Sequence, residues 1–259
     1  MMLIDSHAHL EMPEFDRDRD EVIQRAKSQG IGYIITIGIQ IPEAEKAIAL
    51  AMVYDFIYAA IGIHPHNAHE IDEHTYDKLK NLAIHPKVIA FGEIGLDFFR
   101  KRSPREVQIK RFRELIQMGK KLRLPLIIHD RDAHKETLTI LEEEKGFDWG
   151  GVIHCFSGDY EMAKKCLDKG FYISIPGTIT FKNATTLQDL VKKLPLDSLL
   201  VETDAPFLAP LPFRGKRNEP SFVKYTAEKI GILKKKGFDE VARQTTENIQ
   251  RLFKIPTIS

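Results

Sequence analysis

Ile4-Asp5-Ser6-His7-Ala8-His9-Leu10 ends a short apolar run, Met1 to Ile4, with two imidazoles two residues apart. In extended backbone, alternate side chains leave the same face, so both rings converge at the end of a strand. Neutral imidazole is the commonest side-chain ligand for transition metals, and a converging pair is a chelate. A strand closed by ligands is one corner of a site, so other strand ends should supply the rest.

The same order of an apolar run, a polar loop and a helical spacing recurs along the chain. Eight β-branched runs are visible: 3–5, 33–37, 56–61, 88–92, 124–128, 151–153, 171–175 and 199–201. Amphipathic stretches separate them, at 18–29, 42–53, 75–84, 105–122, 133–145, 159–169 and 185–194, with 220–235 after the last run. Continuous rather than alternating apolarity, with a helix-length crossover between runs, predicts a parallel sheet covered on its outer face. Eight units in 259 residues predict a (β/α)8 TIM barrel, a fold of roughly 250 residues. A doubly wound open sheet is the alternative, because counting strands does not show closure. Pro42 and Pro220 suit first helical turns, and Gly30, Gly146 and Gly170 suit C-terminal caps. No Pro/Gly/Ser-rich linker divides the chain, so 1–259 reads as a single barrel domain, with an additional C-terminal helix, 239–253, as a lid or plug.

Composition narrows the class of partner. Lys and Arg number 38 against 37 Asp and Glu, a net charge of +1, so attraction to a polyanion has to come from a local patch. Two cysteines, Cys155 and Cys166, give no disulfide framework, and the N-terminus carries no signal-peptide pattern. No apolar run approaches the roughly 20 residues that cross a bilayer. A cytoplasmic monomer with no membrane contact is expected. Cys155, next to His154 in a strand, is expected to face away from it, buried and inert.

Barrel enzymes carry their chemistry at the C-terminal strand ends. There this sequence places His7 and His9, His64, Glu93, His129, His154, and Glu202 with Asp204. Histidines with a carboxylate able to bridge suit Zn, Mn, Fe or Co, and the oxygen ligands leave Mg or Ca open. The set exceeds what one tetrahedral ion needs, so two divalent ions about 4 Å apart, bridged by Glu93, are expected.

These residues fall within longer motifs: His7-x-His9-Leu10, Gly62-Ile63-His64-Pro65, Gly92-Glu93-Ile94-Gly95-Leu96-Asp97, His129-Asp130-Arg131-Asp132-Ala133, His154-Cys155-Phe156-Ser157-Gly158, Glu202-Thr203-Asp204-Ala205-Pro206 and Arg214-Gly215-Lys216-Arg217-Asn218-Glu219-Pro220. In order and spacing the chain resembles the TatD-type metal-dependent deoxyribonucleases of the amidohydrolase superfamily. The resemblance implies His7, His9, Glu93, His129, His154 and Asp204 as metal ligands, and His64 as a contact to substrate phosphate or an auxiliary metal contact. Ala8 stands where the family often has Cys, a position expected to point away from the metals.

The implied reaction is hydrolysis of DNA phosphodiesters by metal-activated water, as a 3'-5' exonuclease preferring single strands or frayed ends. His7, His9, Glu93 and Asp204 are assigned to one ion, and His129, His154 and Glu93 to the other. Asp204 and Glu93 are the catalytic residues, Asp204 as general base. Arg131, Arg214 and Lys216 are expected to hold the backbone and Phe98, beside Phe99, to stack on bases. An amidohydrolase or aminoacyl-tRNA deacylase on the same scaffold is the alternative, since fold and metals permit either chemistry. A metal-holding adaptor without activity is a third.

Overall fold

The strand runs are apolar on both faces because each strand meets two cores. In the computed structural model, which describes residues 2–257, Ile35, Ile37, Ala60, Ala90, Ile127 and Leu200 share an inner cluster. Their neighbours Ile34, Ala59, Phe91, Ile128 and Leu199 belong to an outer cluster under the helices. The strands are β1 (Leu3–Ala8), β2 (Ile31–Gly38), β3 (Ile57–Ile61), β4 (Val88–Asp97), β5 (Leu126–Arg131), β6 (Gly151–Ile153), β7 (Phe171–Ile175) and β8 (Leu199–Val201). They pair in chain order and in parallel from β1 to β8.

The seam between β8 and β1 shows that the sheet is a barrel and not an open sheet. Ala8 bridges Ala205 in parallel. The Asp204 amide donates to the His7 carbonyl at 2.8 Å, and the His9 amide to the Ala205 carbonyl at 2.7 Å. Below them the buried Asp5 carboxyl accepts from the Thr203 amide at 2.9 Å and from its hydroxyl at 2.5 Å. Burial outweighs these bonds and pushes the Asp5 carboxyl up to about 8.

Eight helices cover the strands: α1 (Arg19–Ser28), α2 (Ile41–Val53), α3 (Glu73–Ala83), α4 (Arg105–Leu122), α5 (His134–Glu143), α6 (Tyr160–Asp168), α7 (Thr185–Lys193) and α8 (Val223–Lys234). Local chemistry fixes their ends. Pro42 lies in the first turn of α2, and Asp72 and Thr75 form a reciprocal capping box on α3. Gly30 and Gly170 take the left-handed position after α1 and α6, both at φ 83°. After α5 that position falls one residue earlier than expected: Lys145, not Gly146, is left-handed, at φ 53°.

The last helix, α9 (Phe238–Phe253), plugs the barrel at the end where the strands begin. Ile249, Leu252 and Phe253 join the inner cluster with Ile4 and Leu200. The buried Asn248 side chain donates to the carbonyls of Leu196 at 3.0 Å and Leu199 at 2.8 Å, at the start of β8. The opposite end, where the strands finish, is left open. Among the described residues no helix is long and apolar enough to cross a membrane.

Candidate metal centre

Three of the expected residues lie inside strands rather than after them. His7 is the fifth residue of β1, and Glu93 and His129 sit within β4 and β5. Inward-facing positions near the strand ends carry them to the barrel axis. Gly95 allows β4 and β5 to approach there: its φ is 148°, and a Cβ at this position would stand 2.0 Å from the His129 carbonyl oxygen.

Glu93 is the centre of the arrangement, only 3% exposed. Its Oε2 faces His7 Nε2 at 3.5 Å and His9 Nε2 at 3.9 Å. Its Oε1 faces His129 Nδ1 at 2.6 Å, His154 Nε2 at 3.0 Å and His64 Nε2 at 3.5 Å. Asp204 closes the first side, with Oδ1 3.4 Å from His9 Nε2 and 3.8 Å from His7 Nε2. The His7 and His154 rings stack with centroids 3.8 Å apart, joining the two sides.

Three of the histidines have a partner behind the ring. His9 Nδ1 lies 2.9 Å from the Ile37 carbonyl, which can only accept, so that nitrogen carries the proton and Nε2 turns a lone pair inward. His154 Nδ1 faces Glu202 at 3.3 Å, and His129 Nε2 faces Asp97 at 3.3 Å. Glu11 stands 3.4 Å from His9 Nδ1 and accepts from Thr36 Oγ1 at 2.6 Å.

Such a crowd of buried bases and acids favours positive charge at its centre. Burial opposes ionisation of Glu93, yet His154, His64 and the hydrogen bonds from His129 and His154 hold it well below the usual carboxylate range. Burial likewise opposes protonation of His154, but Glu93 and Glu202 raise it well above an ordinary imidazole. Burial drives His64 well below. Donor atoms of His7, His9 and Asp204 lie within 4.8 Å of one another, as do those of His64, Glu93 and His129, and of His7, His154 and Glu202. Borderline nitrogen donors with one or two carboxylates fit a divalent transition metal.

The structure thus brings together all six expected ligands and adds His64 to their ring. Above them opens a cavity of about 650 Å³, lined in part by Arg100, Arg102, Arg131, Asp204 and Phe207. Three expected substrate contacts do not line it. The Phe98 ring is partly buried against the outer core, with the Arg105 guanidinium over it at 4.2 Å. Arg214 rests on Phe181 at 4.6 Å, and Lys216 is exposed on the same loop. Cys155 is not buried behind the site. β6 stops at Ile153, and a left-handed turn at φ 45° puts Cys155 on the cavity wall, partly exposed. Burial and the neighbouring carboxylates push its thiol well above the ordinary range, so it stays unionised. Ala8 points into the outer core, away from the ligands.

Comparison with known proteins shows the family. The family TatD related DNase matches residues 4–254. The chain belongs to this TatD family. YabD of Bacillus subtilis, an uncharacterized metal-dependent hydrolase, is 48% identical over 254 residues, covering 98% of this chain and all of the relative. A protein of Erwinia amylovora named 3'-5' ssDNA/RNA exonuclease TatD is 35% identical, covering 97% of this chain and 99% of that protein. The solved TatD homologue YJJV of Escherichia coli superposes with a TM-score of 0.92 at 33% identity, covering 98% of both chains. As a TatD-family member the protein is a metal-dependent hydrolase.

The sequence assigns no role to Glu11, Asp97 or Phe207, and puts Glu202 at a strand end without one. Asp97 and Glu202 lie inside the recognised motifs. Glu11 and Phe207 follow theirs directly, and no local pattern marks what they touch.

Proposed function

We propose that the protein hydrolyses phosphodiester bonds of single-stranded DNA or frayed ends, as a 3'-5' exonuclease with two divalent metal ions. The observation that carries this reading is Glu93, one buried carboxylate with an oxygen turned to each of two ligand sets. His7, His9, Glu93 and Asp204 would hold one ion, and His129, His154 and Glu93 the other, with His64 as an auxiliary contact. Bound there, the ions would supply nucleophilic water at neutral pH and neutralise charge on the phosphoryl oxygens.

The chain's own residues do the rest. Asp204 is the most open of the carboxylates, with a side chain 15% exposed, and it takes the proton from the attacking water. Burial tends to raise it, but the imidazoles of His9, His154 and His7 hold it low, so it is ready as a base. Arg131, with Arg100 and Arg102, binds the backbone on one wall of the cavity. The exonuclease name of the Erwinia relative supports the choice of bond.

The test is hydrolysis of end-labelled single-stranded DNA across a series of Zn, Mn, Co, Fe and Mg. Glu93→Gln and Asp204→Asn should each lower kcat by about 10²-fold or more. Cleavage of amide or aminoacyl ester substrates with no loss of DNA length would overturn the reading.

A further inference from the structure

We infer that Phe207 is the platform on which the base next to the scissile phosphate stacks, which makes it a specificity residue for unpaired nucleotides. The inference rests on the nuclease reading above and adds the part of the substrate recognised besides phosphate.

The cavity has two chemically different walls. Arg100, Arg102 and Arg131 line it from the β4 loop and the end of β5, whereas Met12, Phe207 and Leu208 line it from the segments after β1 and β8. A nucleotide is divided in the same way, into an anionic phosphate and a flat base with two π faces. Phe207 is 46% exposed. Phe156, which also lines the cavity, is 2% exposed and has no face to offer. Phe99 is exposed near the arginines, but the Arg131 guanidinium lies over its ring at 4.2 Å, and it does not line the cavity.

An exposed phenylalanine alone would mean little, since single apolar side chains are common on surfaces. The backbone that carries this one is fixed in place. Its amide donates to the Asp204 carbonyl at 2.8 Å. Its carbonyl accepts from Asn218 Nδ2 at 2.7 Å, and the same fully buried amide group donates to the Thr203 carbonyl at 2.8 Å. The ring therefore stands three residues beyond Asp204 on a clamped loop, with its centroid 6.2 Å from that of His9. With the backbone held beforehand and only two side-chain torsions free, the ring has little freedom to lose when a base lies on it.

The experiment uses single-stranded trinucleotides with a stable abasic residue at each position in turn, in the metal that best supports cleavage of the unmodified trinucleotide. Wild-type protein should lose about 5-fold or more in kcat/KM, chiefly through KM, when the base at one position is missing. Phe207→Ala should erase most of that difference, and Phe207→Trp should keep it. Phe207→Leu, which retains apolar bulk without a flat face, should behave as Phe207→Ala does and separates stacking from packing. Equal cleavage of all trinucleotides by wild type, or undiminished discrimination in Phe207→Leu, overturns the inference. Failure to cleave any oligonucleotide in any metal overturns the nuclease reading itself, and this inference with it.

Discussion

A carboxylate that touches no substrate can still set the strength of a metal site. Glu202 is fully buried, accepts from the Cys155 amide at 2.6 Å and faces His154 Nδ1 at 3.3 Å. It orients that ring and makes its inward nitrogen more basic. Groups in this position are typically worth about 10–100-fold in metal affinity. Glu202→Gln should weaken metal binding by about that factor, read by titrating a chelator against the loaded protein, with little change in the folded spectrum. A second carboxylate, on the wall of the cavity, gives a pH signature through its histidine partner. The Asp130 carboxylate, 2.6 Å from His134 Nδ1, raises that imidazole above its ordinary 6.5. A raised folded-state pKa stabilises fully below the unfolded value and loses its contribution as pH rises through the folded value. The melting temperature of wild type should therefore exceed that of His134→Gln most below about pH 6.5, with the gap closing at alkaline pH.

At the level of elements, all eight strands lie where their apolar runs predict, and α4 spans the residues expected of it. What the runs hid is how far the strands continue. The apolar run of β4 ends at Gly92 but the strand goes on to Asp97, because Glu93 and Gly95 interrupt the apolar signal while serving the centre. The apolar runs of β1 and β5 stop short of the strand ends for the same reason. The residues that gather at the centre are legible as a local pattern, since a histidine or acid follows six of the eight runs. The loop residues were not: no periodicity says which way Phe98, Arg214 or Lys216 turns, and the structure turns them elsewhere. The plug helix α9 gives the test at this scale. Asn248→Ala would leave the Leu196 and Leu199 carbonyls without their donor, a loss of about 1–3 kcal/mol. The melting temperature should fall by about 2–4 °C per kcal/mol. Metal content of the folded protein should be unchanged, because α9 and the centre occupy opposite ends of the barrel.

For the whole molecule, the centre ties together strands from across the barrel. His7 and His9 come from β1 and the residue just past it, Glu93 from β4, His129 from β5, His154 from just after β6 and Asp204 from just after β8. An ion bound there would hold the folded state and have no comparable site in the unfolded chain. At a free metal concentration 100 times the dissociation constant, the gain is about 2.7 kcal/mol. Chelation should therefore lower the melting temperature by about 5 °C or more, and readdition of metal should restore it. Acid should mimic the chelator, because protons compete with metal for the same imidazole nitrogens.

The latch of Asp5 on Thr203, and the plug at the base, also bear on the order in which the protein is made. Translation delivers His7 and His9 first, Asp204 some 200 residues later, and α9 later still. Until α9 leaves the ribosome, Ile4, Ile35 and Leu200 lack the cover that the plug gives the inner ring. A nascent chain can offer an ion only part of its ligand set. An ion that needs both sides of the centre would therefore have to wait until the first strand meets the last.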